Sequence, residues 1–179
     1  MISKKICLLG DFAVGKTSLV RRFVYDRFED KYISTIGVKV SRKSLVVAGA
    51  PASGEGASGQ GAPVEMSLLI WDLAGSEEFD RVRASYVRGA AGAILVCDLT
   101  RRQTFDSLPQ YLTDLTAVVP DVRVAVVGNK SDLVDEQALS PEELTTFAAQ
   151  LEAPAYVTSA KSGAHVDDMF RHLARAMLT

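Results

Sequence analysis

Short apolar runs and amphipathic stretches alternate along this chain. KICLLG (5–10) reads as a buried strand, and GKTSLVRRFVYDRF (15–28) sets Leu19, Val20, Phe23 and Val24 on one helical face. GVKVSRKSLVVAG (37–49) alternates as a strand with one wetter side, and VEMSLLIWD (64–72) reads as another strand. AGAILVCDL (91–99) and VRVAVVGN (122–129) are continuous apolar runs, the mark of parallel strands covered on both faces; APAYVTSA (153–160) is a shorter one. Residues 103–118, 140–151 and 165–178 carry helical periodicity. In SPEEL (140–144), Ser140 is an N-cap, Pro141 takes the first helical position and Glu143 completes a capping box. This alternation predicts one α/β domain with a mostly parallel sheet.

AGAPASGEGASGQGAPVE (48–65) breaks the pattern. Built almost wholly of Gly, Ala, Ser and Pro, it buries too little apolar surface to offset its ordering entropy. It reads as a disordered insertion, about 48–64, between two antiparallel strands rather than as a domain boundary.

Composition changes this picture little. At 179 residues, 47% apolar and 23% charged, the chain has the profile of a single soluble domain. A net charge of −2 and the lack of a basic run speak against nucleic acid or a membrane surface as partner. Cys7 and Cys97 sit in apolar runs and read as buried free thiols of a reducing, cytoplasmic compartment, with a disulfide between them as the alternative. RHLARAMLT at the C-terminus holds no cysteine, so no direct lipid anchor is expected; nor is a signal peptide or a transmembrane run, and a monomer is the expectation.

The chemistry is concentrated in four places. GDFAVGKTS (10–18) follows a strand and opens a helix, matching G-x-x-x-x-G-K-[ST]. Gly15 tolerates the angles that turn successive amides toward phosphate oxygens, which makes Asp11, Phe12, Ala13, Val14 and Ser18 loop contacts for a polyphosphate. Lys16 can reach the β- and γ-phosphates, and the Thr17 hydroxyl can ligate Mg²⁺. Asp72 ends a second buried strand, where such a site needs its acidic metal partner. In GNKSD (128–132), Asp132 offers two carboxylate oxygens to the N1–H and 2-amino group of guanine, which adenine cannot match. Asn129 and the Ala160 amide, the latter in SAK (159–161) with Ser159, could serve the 6-oxygen side. The stems of Lys130 and Lys161 could flank the base.

Together these residues resemble the Ras-superfamily small GTPases, and most closely the Rab branch. GDFAVGKTS, STIGV, WDLAGSEEF, YVRGA, GNKSD and TSAKSG occur in order across nearly the whole chain outside 48–64. The resemblance implies a P-loop domain of six mainly parallel strands with one antiparallel strand, flanked by five helices. It implies a GTP/GDP switch whose segments, here about 29–39 and 73–86, bind effectors and close on the γ-phosphate, with activating and exchange proteins as further partners. By that likeness Thr35 ligates Mg²⁺, Gly75 donates its amide to the γ-phosphate, Phe28 packs on the guanine and Tyr32 lies over the phosphates.

Three departures qualify the likeness. Ser76 stands where most of the family has the water-orienting Gln, and Phe12 where it usually has Gly or Ser, with Ala13 next. These point to retained binding and weakened hydrolysis; the alternative is a GTP-binding module that does not hydrolyse at all. Trp71 and Tyr86 match two members of an aromatic triad used by Rab proteins, with Val40 in place of the usual Phe.

Overall fold

The computed structural model describes residues 1–31, 34–49, 61–75 and 80–179. Six strands form one sheet: β1 (Ile2–Leu9), β2 (Val38–Gly49), β3 (Gly61–Leu73), β4 (Gly92–Asp98), β5 (Arg123–Asn129) and β6 (Ala155–Val157). Their order is β2-β3-β1-β4-β5-β6; β2 and β3 pair antiparallel and every other pair is parallel. The helices are α1 (Lys16–Tyr25), α2 (Asp80–Val87), α3 (Arg102–Asp106), α4 (Leu108–Val118), α5 (Pro141–Gln150) and α6 (Val166–Ala176). The six-stranded, mainly parallel fold expected from the resemblance is therefore the one observed.

Alternation along β1 divides the core. Ile6 and Leu8 face one side with Leu19, Phe23, Phe170 and Leu173, where the Phe23 and Phe170 rings stack with centroids 4.1 Å apart. Cys7 and Leu9 face the other with Leu95, Leu115 and Leu144. Burying side chains of this size contributes about 1.5–3 kcal/mol each. Both cysteines are free and buried, and burial pushes their thiols up to about 11 for Cys7 and about 12 for Cys97. Among the described residues no helix is long and apolar enough to cross a membrane.

Three elements differ from their sequence reading. The helix expected over 103–118 is two, α3 and α4, because Pro109 has no N–H to continue the ladder; Ser107 sits at the joint, its amide bonded to Gln103 O at 3.1 Å. Strand β3 starts at Gly61, not 64, since β2 offers it hydrogen-bond partners through Val47↔Val64, Ala48↔Pro63 and Gly49↔Gly61 whatever its side chains. Residues 50–60 of the insertion lie outside the described residues. Helix α2 begins within the stretch expected to act as a moving segment and had no clear periodic signal.

Candidate functional site

The parallel strands carry their loops out at one edge, beyond their C-terminal ends, where open α/β sheets place ligand sites. A cavity of about 340 Å³ opens there. Phe12, Ala13, Gly15, Lys16, Thr17, Ser18, Phe28, Thr35, Gly75, Asn129, Lys130, Asp132, Ala160 and Lys161 all line it. Four expected site residues do not: Asp72 is buried, reached through the Thr17 hydroxyl, and three others are turned away. Val14 is buried in the core, Ser159 is buried behind Asp132, and the Asp11 carboxylate turns away to accept from Ser107 Oγ (2.7 Å) and Tyr111 Oη (2.9 Å). Tyr32 and Ser76 lie outside the described residues.

The phosphate loop joins β1 to α1. Gly15 has φ 100°, a left-handed angle, and a Cβ there would lie 2.2 Å from Asn129 Nδ2, so glycine answers both a conformational and a steric demand. Ala13 takes φ 61°, a conformation that costs an L-residue about 1–2 kcal/mol and so must be held by its surroundings. Lys16 is buried, its Nζ donating to Gly10 O (2.7 Å) and Asp11 O (2.9 Å). Burial lowers its ammonium to about 8, against the pull of Asp72 and Asp11. A buried cation whose hydrogen bonds, among the described residues, go to two carbonyls is suited to receive an anion.

Opposite Lys16, Thr17 Oγ1 donates to Asp72 Oδ2 at 2.5 Å and meets Thr35 Oγ1 at 2.6 Å. Asp72 is 1% exposed, and its Oδ1 has no partner among the described residues. Burial raises its carboxyl above the usual range although Thr17 and Lys16 pull it down. One orphaned carboxylate oxygen beside two hydroxyls fits a small hard cation that takes few protein ligands and keeps water or phosphate oxygens, as Mg²⁺ does. Gly75 follows on the turn after β3, where a Cβ would lie 2.5 Å from Gly10 O and from the Asp11 carbonyl carbon; the missing side chain lets this turn rest on the phosphate loop.

At the far end of the cavity, Ser159 Oγ donates to Asp132 Oδ1 at 2.7 Å, fixing the carboxylate with its other oxygen left over. Asn129 is a cross-tie: Nδ2 donates to Val14 O (3.1 Å), and Oδ1 accepts from Thr158 Oγ1 (3.1 Å) and the Ala160 amide (3.3 Å). Its carboxamide joins the phosphate loop to the 158–160 loop, a role the sequence reading did not give it.

Sequence reasoning also passed over Arg22 and Asp98. Arg22 on α1 donates from Nε to Ala160 O (2.9 Å) and from NH2 to Lys161 O (2.6 Å), fastening the same loop from outside. Asp98 accepts from Lys130 Nζ (2.7 Å) and Arg101 Nε (3.0 Å). Burial pushes Asp98 up, but hydrogen bonds from Lys130 and Thr100 outweigh it and hold the carboxyl below its usual range. The signal was available, since Asp98 is the last residue of a buried strand and Asp72 the last but one of another.

Comparison with known proteins agrees with this geometry. The family model described as Ras family matches residues 5–179. The chain is similar to Ras-related protein Rab-1C of Dictyostelium discoideum, 37% identical over 171 residues, 95% of this chain and 78% of that protein. It is 36% identical to Ras-related protein RABA4a of Arabidopsis thaliana over 167 residues, 93% of this chain and 68% of the relative. It is 36% identical to GTP-binding protein ypt1 of Schizosaccharomyces pombe over 172 residues, 96% of this chain and 78% of the relative.

Proposed function

This chain belongs to the Ras family, and from that premise we propose that it is a Rab-like guanine-nucleotide switch that binds GTP or GDP with Mg²⁺ and hydrolyses GTP slowly unless a partner assists. The reading is carried by one meeting of groups: Lys16, Thr17, Thr35 and Asp132 line one cavity, and buried Asp72 accepts from the Thr17 hydroxyl at its wall. Lys16 exchanges its carbonyl partners for phosphate oxygens. Thr17, Thr35 and Asp72 hold the cation, which when bound neutralises charge on the outer phosphates. Asp132 takes the two adjacent donors of guanine, and Phe28 and the Lys130 and Lys161 stems cover the ring. Gly75 turns its amide toward the γ-phosphate, so the segments around 29–39 and 73–86 rearrange when that group leaves, changing affinity for effector proteins.

Hydrolysis is the weak step. Ser76 lacks the reach and the carboxamide to hold a water against the phosphate, and losing one positioned transition-state contact costs about 10²–10³ in rate. Ras-like proteins unaided already run at ~10⁻⁴ s⁻¹. Phe12, 49% exposed at the cavity, crowds the space that an arginine from an activating protein would enter. Single-turnover GTP hydrolysis by the wild type and Ser76→Gln tests this. The expected result is slow wild-type turnover with a gain of about tenfold or more for the glutamine variant. Ordinary family turnover in the wild type with no gain from Gln would refute it. No turnover in either protein, with GTP still bound, would favour the non-hydrolysing module that Ser76 and Phe12 together also allow.

A further inference from the structure

A loop whose amides turn inward to meet an anion directs carbonyls outward, and those carbonyls need donors of their own. Gly10 and Asp11 have the Lys16 ammonium, and Val14 has the Asn129 carboxamide. The Phe12 carbonyl accepts from Arg101 NH2 at 2.7 Å. Lys16 and Asn129 belong to the recognised motifs; Arg101 belongs to none of them. It stands on the turn after β4, reaching a residue 89 positions earlier in the chain.

Its seat is fixed. Arg101 Nε donates to Asp98 Oδ2 at 3.0 Å, and Lys130 Nζ reaches the same oxygen at 2.7 Å. Asp98 is 1% exposed, and its other oxygen accepts from the Thr100 amide (2.9 Å) and hydroxyl (2.7 Å). One buried carboxylate oxygen thus holds two cations side by side, Arg101 against the phosphate loop and Lys130 from the N-K-x-D stretch. The loop residue beside Phe12 is Ala13, at φ 61°. A non-glycine residue there stays left-handed only if the flanking peptides are restrained.

We propose that Arg101 is a positioning residue for nucleotide retention: seated on Asp98, it clamps the Phe12 peptide, and with it the left-handed turn at Ala13, in the shape that presents the phosphate loop to its ligand. The guanidinium suits the task because Nε and a terminal amino group are separate donors held in one rigid plane, whereas a lysine ammonium would have to reach both acceptors from a single atom on a flexible stem. Sharing Asp98 with Lys130 links the clamp to the base end. Arg101 is also one of the charges that, after the dominant effect of burial, help to keep the Lys16 ammonium below its ordinary range.

This inference rests on the guanine-nucleotide reading, and its test separates the two. Release of a fluorescent GDP from the Mg²⁺-loaded full chain is followed for the wild type, Arg101→Gln, Arg101→Lys and Arg102→Gln. Arg102 carries the same charge one residue on but bonds Glu143 Oε1, at 2.6 Å. Arg101→Gln is expected to release GDP about tenfold faster, equivalent to about 1.4 kcal/mol, with an unchanged association rate. Arg101→Lys should fall between it and the wild type, and Arg102→Gln should stay within about twofold of the wild type. Release from Arg101→Gln within about twofold of wild type would overturn the clamp. So would an Arg101→Lys variant indistinguishable from wild type, or an Arg102→Gln variant as fast as Arg101→Gln, since either would reduce the effect to charge alone. A wild type that takes up no GDP overturns the guanine-nucleotide reading and the clamp with it.

Discussion

Asn129 carries a single carboxamide, and both ends of it are engaged, one with the phosphate loop and one with the 158–160 loop. Its type and place after β5 mark it in the sequence as a base-side group; that it ties two loops 115 and 31 positions away could not be read there. Replacing it by alanine leaves the carbonyl of fully buried Val14 without its side-chain donor, at a cost of about 1–3 kcal/mol. Asn129→Ala should therefore both lower the denaturant midpoint and release bound GDP at least about tenfold faster, checked by urea unfolding and by chase of labelled nucleotide. Thr17 and Asp72 behave differently. Their separate identities as metal groups are legible from motif and strand end, and the fold brings them to 2.5 Å.

Helices whose ends are set by local chemistry were legible. SPEEL predicts a capping box, and α5 has it: Glu143 N donates to Ser140 Oγ (3.3 Å), Ser140 N to Glu143 Oε2 (3.1 Å), and Pro141 is first in the helix. Ser140→Ala should cost about 1 kcal/mol, seen as a lower urea midpoint with an unchanged slope and no change in GDP release, because α5 does not line the cavity. The α3–α4 break was also written in the chain, at Pro109, and a periodicity reading that ignores the missing N–H runs across it. The start of β3 is different in kind. Gly61–Pro63 has no strand signal of its own and is a strand because β2 lies alongside.

Strand order places the site. With β1 between β3 and β4, and β4 beside β5, the loops after β1, β3, β5 and β6 meet at one edge, although the residues they carry are spread from Phe12 to Lys161. The cavity so formed sets the buried Lys16 ammonium against Asp72, whose Oδ1 is orphaned among the described residues. A nucleotide bound there without its cation would put its phosphates beside an uncompensated carboxylate. Chelation with EDTA should therefore speed GDP release by about tenfold or more, and added Mg²⁺ should restore slow release, both measured by nucleotide chase.

Some properties of this protein were settled by local chemistry, because they depend on neighbours a few residues apart. The phosphate loop, the carboxylate ending β3, the N-K-x-D stretch, the cap of α5 and the alternation of strands and helices all belong to that class. Long-range approach decided the rest. Arg101 on the Phe12 carbonyl, Arg22 on the 160–161 carbonyls and buried Asp98 between two cations are contacts of polar groups, which carry no periodic pattern. Hydrophobic spacing records which face of an element is buried, whereas a hydrogen bond between distant loops depends on where the folded sheet delivers their ends.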